Sequence, residues 1–299
     1  MTEPTRFAFA AMGSECVFHL YGAEAATAQA AETEVLRIEH RYSRYRDDSI
    51  LSRINQAAAA GGRIEVDDET AALLNYAFAC HRLSDGLFDI TTGILRRVWD
   101  FSSGRAPDPA GIERWLSFVG LEKIRWEPPV LSFPVAGVEL DLGGLGKEYA
   151  ADRAAAVCAE AGVAHGLVEL GGDIRVIGPR PDGTPWPVRI RDPRAPGREL
   201  AQVPLAAGGL ATSGDYERCL VVDGRRYGHI LNPRTGWPVR GLAGVSVAGA
   251  NCLLAGTVST IAMLKGVTGE AWLAELGADC LWIDSEGRSG GPLTGSAPG

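Results

Sequence analysis

The run Asp141-Leu142-Gly143-Gly144-Leu145-Gly146-Lys147-Glu148-Tyr149 brings carboxylates, glycines and a lysine into one short stretch. A glycine-rich turn entering a helix exposes backbone N–H groups, and the helix dipole favours an anion there, so this stretch could cradle a phosphate. A tight structural turn uses the same residues, and the spacing alone leaves both readings open. It is not a Walker A loop, which needs Gly-Lys-Ser/Thr after four intervening residues, and Tyr149 stands where a dinucleotide fingerprint has its third glycine.

Three further stretches carry chemistry-bearing residues. Gly171-Gly172, between Glu169 and Ile174, interrupts a β pattern, which marks either a bulge or the close approach of another backbone or a ligand. The segment Ala211 to Tyr216, followed by His229-Ile230-Leu231-Asn232-Pro233-Arg234-Thr235-Gly236, concentrates hydroxyl, His, Arg and aromatic groups as a binding site does. A histidine beside a Pro/Gly turn is also an ordinary hydrogen-bonded structural residue. Thr257, Ser259 and Thr260 lie near the start of a predicted helix, where capping and local backbone bonding account for them without a ligand.

The elements that must position these groups follow from periodicity and breakers. Phe7 to Leu20 reads as one or two strands and Ala23 to Tyr45 as a helix. Asp67 to Leu83 reads as a second helix, with acidic residues in its first turn and Gly86 past its end. Ser102 to Trp115 is expected to be a surface loop entering a short helix, and Val130 to Leu140 a strand. Gly143 to Ala161 is a strand–loop–helix transition. From Gly166 to Val222 the chain turns β-rich, and Asp223-Gly224 between apolar runs signals a hairpin. Val245 to Ala248 is a further strand, Cys252 to Leu264 and Glu270 to Leu276 are helices, and Cys280 to Ile283 is a last strand.

The chain has 299 residues, 46% of them hydrophobic, enough for a large core. Its net charge of -8 argues against a surface built for nucleic acid or anionic lipid. Six cysteines without a CxxC pair suggest neither a zinc site nor a redox pair. No signal peptide or lipoprotein leader is evident near Met1, and no apolar run of about 18 residues stands out. The expectation is a cytoplasmic protein without membrane insertion. Residues 1–288 are expected to form one domain, and 289–299 a disordered tail.

In this order the stretches resemble the ApbE family of FAD:protein FMN transferases. The resemblance runs from Met12 to Ile283. It takes in Met12-Gly13, Tyr45 to Asn55, Gly86 to Gly93, Trp99-Asp100-Phe101, Asp141 to Asp152, Gly171 to Ile174, Ser213 to Tyr216 and His229 to Gly236. It implies an α/β fold of the mixed α+β kind, with two mixed subdomains and FAD in the cleft between them. By position, Met12, Tyr45, Trp99, Asp100, Phe101, Asp141, Lys147 and Ile230 would contact FAD, and His229 would activate the acceptor hydroxyl. Mg²⁺ would be held by the Gly144 carbonyl and by Thr260, with Ser259 beside it. The implied activity splits FAD, attaches FMN to a Thr/Ser of a partner protein and releases AMP. FAD hydrolysis and non-catalytic flavin binding are the alternatives.

The chain departs from the family at two positions. The family's metal-binding aspartate falls at Gly256, which has no side chain, leaving Ser259, Thr257, a water or Asp173 to replace it. Asn232 stands where the family commonly has Asp. Gly256→Asp is expected to distinguish a lapsed enzyme, which would gain activity, from a rebuilt metal site, which would change little.

Overall fold

Short apolar strands joined by tight turns account for most of the architecture. The computed structural model describes residues 3–195, 197–216 and 218–295. Strands β1 (Thr5–Ala11) and β2 (Ser14–Leu20) are joined by Met12-Gly13, with φ of 53° and 73°. Two successive positive φ values give the turn a twist that matches the flanking strands. Helix α1 (Ala25–Arg41) buries Ala28, Ala31, Val35 and Ile38, a stripe of helical period. Helix α2 (Ile50–Ala59), not anticipated from the sequence, begins at Ser49, whose Oγ accepts the Ser52 N–H at 2.9 Å.

Strand β3 (Arg63–Glu65) precedes α3 (Asp68–Leu83), which Asp67 caps through the Thr70 N–H at 3.1 Å. A 3-10 stretch, Ile90–Arg97, and α4 (Pro109–Leu116) follow. Strands β4 (Arg125–Glu127) and β5 (Val130–Ser132) complete a small sheet in the order β3-β5-β4. The expected strand Val130 to Leu140 therefore ends early. Pro134 has no N–H for a ladder, and Gly137 turns the chain at φ 92°.

Helix α5 (Gly146–Glu160) leads to the hairpin of β6 (Gly166–Leu170) and β7 (Asp173–Gly178). Gly171-Gly172 is the turn of that hairpin, at φ 59° and 94°, and not a bulge within a strand. Strands β8 (Trp186–Arg191) and β9 (Glu199–Leu205) form a separate hairpin before β10 (Gly209–Gly214). Asp223-Gly224 closes the hairpin of β11 (Cys219–Val222) and β12 (Arg225–Gly228), as expected. Strand β13 (Leu242–Gly249), helices α6 (Cys252–Lys265) and α7 (Gly269–Leu276), and strands β14 (Asp279–Asp284) and β15 (Ser289–Gly290) follow. The expected disordered tail is thus structured through β15 and a 3-10 turn, Pro292–Gly295, and residues 296–299 lie outside those described.

The main sheet is antiparallel, in the order β1-β2-β6-β7-β10-β13-β14-β15. Helices α1, α5 and α6 cover one face, where Phe18, Val35, Ala151, Ala154, Val245 and Ala255 form the main core. The β8–β9 hairpin covers part of the other face through Trp186, Val188 and Val203. A second core, built from α2, α3 and the small sheet, receives Ile261 and Leu264 from α6. Helix α6 is therefore buried on both sides. The apolar run Cys252–Leu276 is long enough to cross a membrane, but 67% of its apolar window lies buried inside this fold.

Asp152 of α5 anchors α6, its carboxylate accepting the N–H groups of Cys252 and Leu253, both at 2.9 Å. Asp152→Ala is expected to lower stability by about 1.5–3 kcal/mol, because bonds to a charged acceptor are lost and a helix terminus is left short of partners. Urea unfolding monitored by circular dichroism measures it.

Candidate active site

The glycine-rich run forms the entrance to α5. Leu145 stands at the N-cap and provides no side-chain cap, and Gly143 and Gly144 are exposed. A Cβ placed on Gly146 would meet nothing within 4 Å, and one on Gly144 would meet only the Phe88 ring, at 3.8 Å. The surface of the turn is therefore open to an approaching phosphate, although the N–H groups of Gly143, Leu145 and Gly146 already donate to Asp141 Oδ1 and to the Leu142 carbonyl. Lys147 Nζ lies 3.1 Å from Asp173 Oδ2, the first residue after the Gly171-Gly172 turn. A Cβ on Gly171 would come within 2.7 Å of Ser14 Oγ and 3.7 Å of Lys147 Nζ. The glycine turn thus lets the β1–β2 connection and Lys147 approach one another.

Asp141 forms an ion pair with Arg44 and accepts the Gly143 N–H at 2.8 Å. Arg44 donates to the Tyr45 hydroxyl at 2.9 Å and lies 5.0 Å over its ring, which is 81% exposed. Tyr45 and Asp141 are therefore brought together by Arg44, a residue that no sequence motif singles out. Asp141 also packs against Gly93, in the 3-10 stretch that leads to Trp99.

Trp99 is buried, and this changes the role its ring can play. Its Nε1 donates to the Gly236 carbonyl at 2.7 Å, and its ring contacts those of Phe101, Tyr227 and Trp237 at centroid distances of 5.7, 5.6 and 5.4 Å. It braces the loop that carries His229. Asp100 is exposed, and hydrogen bonds from the Ser102 hydroxyl and N–H, at 2.6 and 2.9 Å, hold its carboxyl below the ordinary carboxylate range.

His229 is exposed immediately after β12, while Ile230 packs between the two large cores and its carbonyl accepts the Val239 N–H at 2.9 Å. Asn232 closes the following turn, its Oδ1 accepting the Arg234 N–H at 2.8 Å. A side-chain amide makes that bond as a carboxylate would. Met12 is fixed through its N–H, which donates to Glu39 Oε1 at 2.6 Å.

The candidate metal region lies where α5, α6, β7 and β10 meet. Ser213 Oγ bridges Ser259 Oγ at 2.8 Å and Thr260 Oγ1 at 2.9 Å. Thr257 is occupied elsewhere, receiving the Tyr76 hydroxyl at 3.0 Å and donating to the Leu253 carbonyl at 2.8 Å. Glu148, unforeseen as a site residue, points at Gly256. A Cβ on Gly256 would lie 2.5 Å from Glu148 Cγ and 2.7 Å from its Oε1.

Glu148 is buried, and its Oε2 has no hydrogen-bond partner. Burial, followed by the neighbouring Asp173 carboxylate, pushes its carboxyl well above the ordinary range. An orphaned carboxylate oxygen packed on the helix that carries Ser259 and Thr260 fits a hard cation. Among the described residues no three His, Cys, Asp or Glu side chains form a metal-binding group. Mg²⁺ sites commonly use one or two carboxylates with substrate phosphates. The helical period carried a signal for Glu148, since it falls on the buried stripe of Ala151, Ala155 and Cys158.

Two hollows of about 350 and 340 Å³ lie elsewhere, one beside Trp186 and one beneath β1, and neither is lined by these residues.

Comparison with known proteins gives a consistent answer. An FAD:protein FMN transferase of Vibrio cholerae is 31% identical over 252 residues, covering 81% of this chain and 75% of that protein. The crystal structure of the ApbE protein of Thermotoga maritima superposes with a TM-score of 0.87 at 32% identity, covering 96% of each chain. The flavinyl transferase ApbE of Pseudomonas stutzeri superposes with a TM-score of 0.83 at 29% identity, covering 97% of this chain and 94% of that one. The sequence profile of the ApbE family matches residues 12–282, and with its mixed fold and its ordered motifs this chain belongs to that family.

Proposed function

We propose that this protein is an Mg²⁺-dependent FAD:protein FMN transferase that attaches FMN through a phosphoester to a Thr or Ser of a partner protein and releases AMP. The supporting observation is the meeting of an exposed glycine turn and Lys147 at the entrance of α5 with a buried Glu148 carboxylate packed on Gly256 of α6, the helix that carries Ser259 and Thr260, within a chain alike to flavin transferases over most of its length.

The α5 entrance and Lys147 bind and orient the pyrophosphate of FAD by backbone donors and positive charge. Tyr45 offers an exposed ring for stacking, steadied by Arg44. The exposed imidazole of His229 accepts the proton of the acceptor hydroxyl as that oxygen attacks the FMN phosphorus. Glu148, Ser213, Ser259, Thr260 and the Gly144 carbonyl are the groups that would hold the cation. A bound Mg²⁺ would neutralise phosphate charge in the transferring group.

AMP measured chromatographically after incubation with FAD and Mg²⁺ separates transfer from hydrolysis. Release that requires a Thr-bearing acceptor domain is the expected result. Equal release without the acceptor would identify an FAD pyrophosphatase instead.

A further inference from the structure

We infer that Glu148 supplies the anionic oxygen of the divalent-cation site, reaching from α5 into the space that a side chain at position 256 would occupy. This rests on the metal-dependent reading above and names the residue that completes its site.

Three observations carry the assignment. First, Glu148 fills the space that a side chain at residue 256 would enter, and would have to move to admit one. The Cβ of such a side chain would lie 2.5 Å from Glu148 Cγ, 2.7 Å from Oε1 and 2.9 Å from Cδ, closer than side chains pack. The carboxylate is already there, delivered from the neighbouring helix. Second, Glu148 Oε2 is enclosed without a hydrogen-bond partner, in a residue 7% exposed. Burying a carboxylate is costly unless a donor or cation compensates it. Third, the nearby turn of α6 supplies neutral oxygens, and Lys147, whose charge favours ionised Glu148, is shared with Asp173. Gly256 starts the turn of α6 that carries Ser259 and Thr260, and Ser213 Oγ bonds both hydroxyls. Asp173, the neighbouring acid, is ion-paired with Lys147 at 3.1 Å.

The glycine at 256 is therefore a requirement of this arrangement. Gly256→Asp alone would place a second carboxylate against the first, with overpacking added to like-charge repulsion. Glu148→Gly with Gly256→Asp would return one carboxylate to the same space from the opposite helix.

The test is Mn²⁺ binding, read from the electron paramagnetic resonance signal of the free ion, with and without FAD. It compares the intact chain, Glu148→Gln and the double variant Glu148→Gly/Gly256→Asp. Glutamine keeps the shape and removes the charge, and thermal melting without metal checks that the variant folds. Glu148→Gln is expected to weaken Mn²⁺ binding about tenfold or more, and the double variant to regain most of it. Unchanged affinity in Glu148→Gln would overturn the assignment, as would a wild-type chain that binds no Mn²⁺ in either condition. Loss of Mn²⁺ binding in Glu148→Gln from a wild-type chain that transfers no FMN would support the site while removing the transferase reading. FMN transfer that persists without bound metal would do the reverse.

Discussion

His229→Ala is expected to lower the rate of FMN transfer about 10²–10⁴-fold, the range over which a positioned general base acts. The imidazole stands on an exposed position between a β hairpin and a braced turn. Its removal opens no core cavity, so thermal stability should change by only about 0.5 kcal/mol or less. FAD affinity, read by quenching of flavin fluorescence, should also stay within a few-fold, because the pyrophosphate donors lie at the α5 entrance. A parallel loss of FAD binding and transfer would instead place His229 in substrate binding.

Trp99→Ala should have the largest effect on stability, about 3–5 kcal/mol, as expected for removing a buried tryptophan. The ring is 3% exposed, contacts Phe101, Tyr227 and Trp237, and holds Gly236 through its indole N–H. That single bond and the T-shaped packing on Trp237 tie the 3-10 region to the His229–Gly236 loop. Activity should therefore fall together with the midpoint of chemical unfolding. Trp99→Phe retains much of the packing but loses the Gly236 bond, and should recover more stability than activity. Equal recovery of both would show that the ring packs without positioning the loop.

The local code is readable wherever a short-range rule dominates. Asp223-Gly224 adopts consecutive positive φ values in a two-residue hairpin, and Lys147 to Tyr149 opens a helix as propensity predicts. Gly171-Gly172 shows the limit of that reading. Composition marks the pair as special, but a turn and a bulge differ in strand pairing, which one strand cannot reveal. Helix α2 carries its signal in plain sight, since the buried positions Ile50, Leu51, Ile54 and Ala58 follow the helical period behind an ordinary Ser49 cap, and only its shortness makes it easy to pass over.

The site is legible in its ordered motifs and obscure in its partnerships. Arg44 joins Asp141 across a long sequence separation. Trp99 turns its ring into a buried cluster, although its place in the motif implies an aromatic face open to FAD. The side chain that fills the space at Gly256 comes from Glu148, more than a hundred residues away in sequence, through a contact that helix packing alone creates. A gain of activity from Gly256→Asp alone is therefore not the outcome this packing predicts. The exchange at both positions removes the collision without requiring Glu148 to move.

Metal-dependent transfer of FMN to protein is tested by intact-mass spectrometry of an acceptor domain incubated with this protein, FAD and Mg²⁺. One FMN added covalently to the acceptor, with no adduct when EDTA is present, is the expected result. An acceptor that stays unmodified while the protein holds FAD and releases no AMP would contradict it.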